Sequence, residues 1–431
     1  MRKSAFEVSG LRLVIYFSKK SLKILCRIAK GLQIPVKHAL LAAFTIFINA
    51  DSKELNSMST NFGLAEYIWL DGSVPTRFVR SKTRVVNLGA KPKITEFPEW
   101  SFDGSSTQQA AGNDSDCILQ PVSYFKDPIR GEGNFLVMCE VNNPDGSPHE
   151  SNSRAQLREV LDAGASKQDP WAGFEQEYTL FPQGHRTPLG WPSHGYPAPQ
   201  GPYYCGVGAE EAFGREVAET HAELCLDAGL MYYGMNAEVM PGQWEFQIGY
   251  RGDNSEDSGV LNMADQVWVA RWLLHRVGEE FDIAATLENK PVKGDWNGAG
   301  MHTNFSTSDT RDKSKGRAAI DAAVDALSKK HAEHIVLYGA GLSERLTGLH
   351  ETCDINTFKA GDADRGCSIR IPKPVAIKGY GYFEDRRPGA NADPYLVAAR
   401  LCTTVCGVDE SVMRFSSWPR RDKKITAVAA E

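Results

Sequence analysis

Residues 236–249 read Asn-Ala-Glu-Val-Met-Pro-Gly-Gln-Trp-Glu-Phe-Gln-Ile-Gly, and their alternation decides the fold class. Pro241-Gly242 is a turn dipeptide, so the stretch reads as two strands joined by a bend. Beyond the bend Trp244, Phe246 and Ile248 alternate with Glu245 and Gln247. Residues two apart share a strand face, so one face is apolar and the other presents an acid. Glu238 can sit across the bend from Glu245. Three further segments follow the same pattern. Gly173–Tyr178 (GFEQEY) puts Glu175 and Glu177 on one face. Asn297–Ser306 (NGAGMHTNFS) sets Met301, Thr303 and Phe305 against His302, Asn304 and Ser306 after a glycine-rich turn. Tyr380–Pro388 (YGYFEDRRP) carries Glu384 at the end of an aromatic strand, with Arg386 and Arg387 close behind. Any one of these alone reads as a solvated acidic strand. Four together read as a site.

Like charges on a buried face are costly unless something neutralises them, and a divalent cation does so. Glu175, Glu177, Glu238, Glu245, Glu384 and His302 form an oxygen-rich set that suits Mg²⁺ or Mn²⁺ better than zinc or copper. Six ligands suffice for two cations that keep waters for a substrate. Arg345, Arg365, Arg370, Arg386 and Arg387 supply forked donors for carboxylate and phosphate oxygens. Two cations with arginines suit phosphoryl groups. Arg365 and Arg370, five apart, would fall on opposite faces of one strand, so Arg365 is expected in the preceding loop or beyond a bulge. The dipeptide Gly-Lys never occurs, which excludes a Walker A loop. Gly206-Val207-Gly208 is followed only by Gly214, too far for the dinucleotide fingerprint, and no kinase catalytic loop is present. Any ATP site therefore has another architecture.

Outward from these motifs, Tyr67–Leu70 and Phe135–Val141 read as strands, with Pro98–Thr107 as a polar loop between them. Helical periods appear over Arg154–Leu161, Glu210–Ala228, Asn262–Phe281, Ala318–Tyr338 and Pro394–Thr404. Gly190–Gly208, rich in glycine and proline, reads as an ordered surface loop. The chain has 431 residues, 42% hydrophobic and 24% charged, which excludes disordered and collagen-like classes. A net charge of −6 argues against nucleic-acid binding, and no apolar run is long enough to span a membrane. The nine cysteines form no CxxC pair, and Cys402 and Cys406 read as helix core in a reducing compartment.

The first 57 residues differ from the rest. They hold ten Lys/Arg against three acids, and Leu11–Ile48 is basic, apolar and acid-free. An organelle-targeting peptide, a basic helix lying on a membrane, and a dispensable extension with the start at Met58 all fit. Three units are therefore expected: the extension over 1–57, a small domain over 65–147 and a catalytic domain over 154–431.

From about 65 to 410 the chain resembles glutamine synthetase of the type found in eukaryotes and some bacteria. The resemblance rests on Trp100–Thr107 (WSFDGSST), Gly173–Tyr178, Asn236–Gly249, Trp296–Ser306 (WNGAGMHTNFS), Arg345–Thr352 (RLTGLHET) and Tyr382–Pro388 (YFEDRRP). It implies an α+β protein: a small N-terminal β-grasp domain, then an α/β catalytic domain whose antiparallel sheet forms an active-site barrel. It implies ATP-dependent ligation of ammonia to L-glutamate through a γ-glutamyl phosphate. Glu177, Glu238 and Glu245 would hold one Mg²⁺ or Mn²⁺ ion, and Glu175, His302 and Glu384 another. Arg345, Arg365 and Arg386 would bind glutamate, helped by Trp296, Asn297 and Gly298. Trp171, Glu245, Asn304, Ser306, Arg365, Arg370 and Tyr382 would contact ATP. Asp103, from a neighbouring subunit, would bind ammonium and take its proton, and Glu351 would close over the intermediate. Arg386 joins these two as catalytic. The absence of a tyrosine-bearing insertion favours a decamer of two pentameric rings. The expected compartment is the cytoplasm, or an organelle if residues 1–57 are an address. A γ-glutamyl-amine ligase and a non-catalytic oligomer are the competing classes; Asp103 with Glu351 speaks against the first and intact Glu384 and His302 against the second.

Overall fold

The computed structural model describes the backbone of residues 2–8 and 11–17 and the whole of residues 62–415. The first part is a hairpin: β1 (Arg2–Val8) pairs antiparallel with β2 (Leu11–Phe17), Arg2 opposite Phe17 and Val8 opposite Leu11. The membrane-lying helix weighed for Leu11–Ile48 is thus a strand over its first seven residues. The rest of that segment lies outside the described residues.

The second unit begins with β3 (Phe62–Leu70), β4 (Val79–Asn87), β5 (Trp100–Asp103), β6 (Asp116–Lys126) and β7 (Phe135–Asn142). They form one sheet in the order β4-β3-β7-β6-β5, with β3 and β7 parallel and the other neighbours antiparallel. Alternation gives the sheet two buried faces. Ala65, Tyr67, Trp69, Val137, Cys139 and Val141 pack with Phe97, Phe102 and Leu119. Ile68, Leu70, Leu136 and Met138 join the main core instead. The loop expected over Pro98–Thr107 is partly ordered: Trp100–Asp103 is an edge strand, with Trp100 opposite Leu119. Its ladder satisfies backbone groups that a local reading of polar residues leaves unpaired.

The larger sheet contains β8 (Trp171–Pro182), β9 (Tyr232–Ala237), β10 (Gln243–Ile248), β11 (Ile283–Thr286), β12 (Met301–Ser306), β13 (Ala360–Asp362), β14 (Ile369–Ile371) and β15 (Phe383–Asp385). The order is β13-β14-β15-β12-β8-β10-β9, with β11 beside the far end of β8. All pairs are antiparallel except β13 with β14. One face carries Phe174, Tyr178, Trp244, Phe246, Ile248, Met301 and Phe305, all buried. Three helices contribute to the same core: α1 (Ser153–Asp162), α2 (Arg215–Asp227) and α3 (Val260–Phe281). Two more long helices follow among shorter ones, α4 (Gly316–Lys329) and α5 (Pro394–Cys406). The Asn152 and Asp393 side chains cap α1 and α5 by accepting backbone N–H groups, which fixes where each helix starts.

Arg154 on α1 ties the smaller sheet to α3. It donates to Glu140 on β7 at 2.9 Å and to Asp265 on α3 at 2.8 and 3.0 Å. The expected helix over Ala318–Tyr338 is broken: α4 stops at Lys329, and a short helix, His331–Ile335, follows. His334 is buried there between Tyr338 and Thr404, so tertiary bonds override the continuous period. Cys402 is buried on α5 and Cys406 partly so.

Candidate active site

Register explains how separate acids meet. On β8, Glu175 lies opposite His302 of β12 and Gln247 of β10, and Glu177 lies opposite Glu245. Asn304 of β12 lies opposite Glu384 of β15, which in turn lies opposite Arg370 of β14. Direct partners and residues two apart share a face. One face of the sheet therefore carries Glu245, Glu175, Glu177, His302, Asn304, Glu384 and Arg370, while the opposite face is core. Glu238 follows β9, its N–H bonded to the Gln243 carbonyl at 2.9 Å across the Pro241-Gly242 bend.

These residues surround a cavity of about 530 Å³. Its wall includes Glu175, Glu177, Glu238, Glu245, His302, Asn297, Gly298, Arg345, Arg365, Arg370, Arg386 and Glu351. Glu384 lies just beneath. Its carboxylate accepts from Arg370 Nη1 at 2.7 Å and from Arg386 Nη1 at 2.6 Å. His302 Nδ1 stands 3.6 Å from Glu175 and 3.5 Å from Glu384, and its Nε2 accepts from Arg345 at 2.9 Å. The Gly298 and Gly300 turn allows this approach. A Cβ on Gly300 would stand 2.3 Å from Arg345 Nη2 and 3.0 Å from His302 Nε2, and one on Gly298 would meet Arg345 Cγ at 2.7 Å.

Electrostatics test whether this donor set fits divalent cations. Burial, then Glu177, pushes Glu238 up to about 8. Burial, then Glu175, pushes Glu245 well above its ordinary value, and burial raises Glu177 despite Arg345. His302 is held well below its ordinary value by burial and by Arg386. For Glu177, Glu238 and Glu245, burial first and neighbouring carboxylates second disfavour the ionised form. Ligand atoms of Glu175, His302 and Glu384, and of Glu177, Glu245 and His302, lie within 4.8 Å of one another. Neutral imidazole and crowded buried carboxylates are what a hard divalent cation requires, so the residues fit the group.

The remaining expected residues are spread around this centre. Asn304 donates to Glu175 at 2.9 Å, so it shares the acidic face. Tyr382 is exposed on one side, yet its hydroxyl is raised by burial and then by Glu175 and Glu384, which puts it beside the same acids. Trp171 begins β8 and lies under the Arg311 guanidinium, 4.0 Å from its ring centre; Arg311 also donates to Ser306 at 2.9 Å. Trp296 packs against Trp191 with ring centres 4.8 Å apart and planes tilted by 51°, beside the wall but outside it. Arg365 sits in the turn between β13 and β14, as its spacing with Arg370 requires. Asp103, at the edge of the five-stranded sheet, is exposed and is not part of the cavity wall. Hydrogen bonds from Ser105 and Ser106 hold it down at about 2. The sequence reading missed Gln200, Gly201, Tyr204, Asn236, Val239, Gln247 and His350, which also line the cavity. Gln200, Gly201 and Tyr204 come from the Gly/Pro-rich loop, which has no period to betray which side chains turn inward.

A β-grasp sheet joined to a larger sheet with an acidic, arginine-rimmed face defines a class of metal-dependent enzyme acting on anionic substrates. Sequence comparison makes this specific. The glutamine synthetase β-grasp domain matches residues 61–144, and the glutamine synthetase catalytic domain matches residues 150–417. A chloroplastic glutamine synthetase of Chlamydomonas reinhardtii is 57% identical over 79% of this chain and 90% of its own. Glutamine synthetases of Streptomyces viridochromogenes and Saccharomyces cerevisiae are 54% and 51% identical, each over 80% of this chain and over 97% and 89% of their own. The chain belongs to the glutamine synthetase family.

Proposed function

We propose that the cavity between β9, β10, β8, β12 and β15 is where this chain ligates ammonia to L-glutamate at the expense of ATP. Formation of glutamine is the activity of the family, and ATP and a divalent metal are its requirements. The observation that carries the assignment to this cavity is the single sheet face bearing Glu245, Glu177, Glu175, His302 and Glu384, ringed by Arg345, Arg370 and Arg386.

An unactivated carboxylate forms no amide at neutral pH, so the side-chain carboxyl is first made an acyl phosphate. Glu177, Glu238 and Glu245 would hold one ion and Glu175, His302 and Glu384 a second, Mg²⁺ or Mn²⁺. Bound there, they would offset the charge of phosphate oxygens approaching a carboxylate. Arg345, Arg365 and Arg386 would receive the carboxylates of glutamate, with Trp296, Asn297 and Gly298 seating it. Arg370, Arg365, Asn304, Ser306, Trp171, Tyr382 and Glu245 would face the nucleotide. Arg386 is well placed for charge stabilisation, because its Nη2 also donates to the Glu351 carbonyl at 3.2 Å. Glu351 would cover the acyl phosphate and keep water from it.

Asp103 would act from a neighbouring subunit, which makes a homo-oligomer with shared sites the working assembly and a decamer the favoured form. Held ionised, it attracts ammonium before it takes a proton. Among the described residues no helix is long and apolar enough to cross a membrane. The compartment is the cytoplasm, or an organelle if the basic, acid-poor segment ahead of residue 58 is an address, and a reporter fused to residues 1–57 decides between them.

The experiment is phosphate and glutamine formation from ATP, Mg²⁺ and glutamate, with and without ammonium, on chains starting at Met1 and at Met58. Ammonium-dependent glutamine is expected from both. Phosphate release indifferent to ammonium would overturn the assignment and point to another acceptor amine.

A further inference from the structure

Three segments meet at Gln200. The first is its own loop, pinned to the metal-bearing sheet where Gly201 N–H donates to the Val239 carbonyl and Cys205 N–H to the Ala237 carbonyl, both at 3.0 Å. The second is the Asn297–Gly298 segment, whose Asn297 N–H donates to Gln200 Oε1 at 2.6 Å. The third is the segment that carries Glu351, the flap expected to cover the site, where Gln200 Nε2 lies 2.8 Å from His350 Nδ1. His350 Nε2 in turn lies 3.0 Å from Asp295 Oδ1, three residues before Gly298.

Donor logic fixes every orientation in this chain. A backbone N–H can only donate, so Gln200 must turn its oxygen to Asn297 and its amide nitrogen to His350. That nitrogen donates, so His350 Nδ1 accepts and the ring proton sits on Nε2, facing the Asp295 carboxylate. The relay runs without a mismatched partner from Asn297 through Gln200 and His350 to Asp295. His350 and Glu351 are also consecutive non-glycine residues in the left-handed region, with φ of 50° and 58°. Such backbone persists only where surrounding contacts over-determine it. The Gln200 bond on one side and the Arg386 bond to the Glu351 carbonyl on the other supply those contacts.

We propose that Gln200 and His350 are positioning residues: they lock the Glu351 flap to the Asn297–Gly298 segment, so that seating glutamate and covering the site become one event. The inference rests on the functional reading above and adds two residues to it. Neither touches the reacting atoms; they act through Glu351 and Asn297.

The test measures glutamine formed and phosphate released by the full chain in Gln200→Ala, His350→Ala, the double variant, His350→Asn and Asp295→Ala. Loss of the lock should raise the glutamate KM by about tenfold, the scale of one lost hydrogen bond. At limiting ammonium the phosphate released per glutamine should rise, because an unlatched flap admits water. The double variant should be no worse than either single one, since both break the same link. His350→Asn, which keeps an acceptor near the Nδ1 position and tolerates left-handed backbone, should recover most of the coupling. Asp295→Ala, at a side chain 94% exposed, should give the same effect in weaker form without threatening the fold. A fall in kcat at unchanged KM and unchanged phosphate-to-glutamine ratio would overturn the lock, as would additive losses in the double variant. No glutamine from the unsubstituted chain would instead overturn the functional reading, and the lock with it.

Discussion

Arg345 donates to His302 through a single 2.9 Å bond, Nη2 to Nε2, in the wall of the acidic cavity. A guanidinium has no lone pair to offer, so the imidazole is the acceptor and is neutral at that nitrogen. Burial has already driven His302 well below its ordinary value, so geometry and electrostatics agree on a neutral ring. Arg345 is itself lowered to about 10 by burial, eased by Glu177. The pair keeps a cation beside the acids without salting the histidine.

Gly300 makes that pair possible. Gly300→Ala would thrust a methyl group against the Arg345 head and the His302 ring. The arginine end is flexible and can swing away, so the fold should survive with a melting temperature close to that of the parent. Activity should fall at least about tenfold, the scale of one misplaced charge-assisted hydrogen bond. Steady-state kinetics beside a thermal melt separate the two effects.

Metal removal should both silence and loosen the protein. Chelation should abolish glutamine formation and lower the melting temperature, because a ligand that binds only the native state stabilises by mass action. Added Mg²⁺ should restore both. Glu245→Gln should shrink the Mg²⁺-induced rise in melting temperature, and an undiminished rise in that variant would remove Glu245 from the ligand set.

Asp103 offers a test of the shared site. Its side chain is exposed, so Asp103→Asn should leave the melting temperature unchanged while raising the ammonium KM by about tenfold or more, the cost of losing a charge partner. The glutamate KM should hold. At limiting ammonium, chains carrying Asp103→Asn and chains carrying Glu384→Gln should each be strongly impaired, and co-assembled mixtures should regain activity if the two residues belong to different subunits. Mixtures no better than their components would assign Asp103 to another role.

Acid stability is set partly by a histidine far from the site. His221 on α2 is fully buried, its Nε2 2.9 Å from the Ala270 carbonyl, and burial lowers it to about 4. With a folded value below the unfolded one of 6.5, its contribution is complete above pH 6.5 and is lost as the pH falls towards 4. The shift corresponds to about 3 kcal/mol across that window. His221→Phe should be less stable at pH 7, since the bond from His221 to the Ala270 carbonyl is lost, yet should show a flatter decline from pH 6.5 to 4. Denaturant midpoints at both pH values check this.

Arg271 predicts a core cost. It is fully buried on α3 and donates to Gln176 Oε1 at 2.9 Å and to the Ala390 and Ala392 carbonyls at 3.0 and 2.9 Å. Arg271→Ala would take the donor from Gln176 Oε1 and the Ala392 carbonyl and open a void, while the Ala390 carbonyl keeps its bond from Gln176 Nε2, lowering stability by about 3 kcal/mol or more, read from urea denaturation. The segment it holds leads directly out of Arg386 and Arg387, so kcat should fall as well.

Local alternation alone identifies the acids. Period-two alternation in Gly173–Tyr178, Gln243–Ile248 and Met301–Ser306 assigns Glu175, Glu177, Glu245 and His302 to polar faces, because strand geometry allows only two faces. Spacing also set Arg365 off its strand. Tertiary structure decided the rest, for reasons no local pattern carries. Register brought Glu175 opposite His302 and Glu384 opposite Asn304, a property of pairs of strands 127 and 80 residues apart. Trp100–Asp103 became a strand only because β6 lay beside it, and the helix after Ala318 broke where buried His334 found Tyr338 and Thr404. Gln200 and His350 carry no periodicity at all; loops 150 residues apart brought them within 2.8 Å, and only the packed fold brings such loops together.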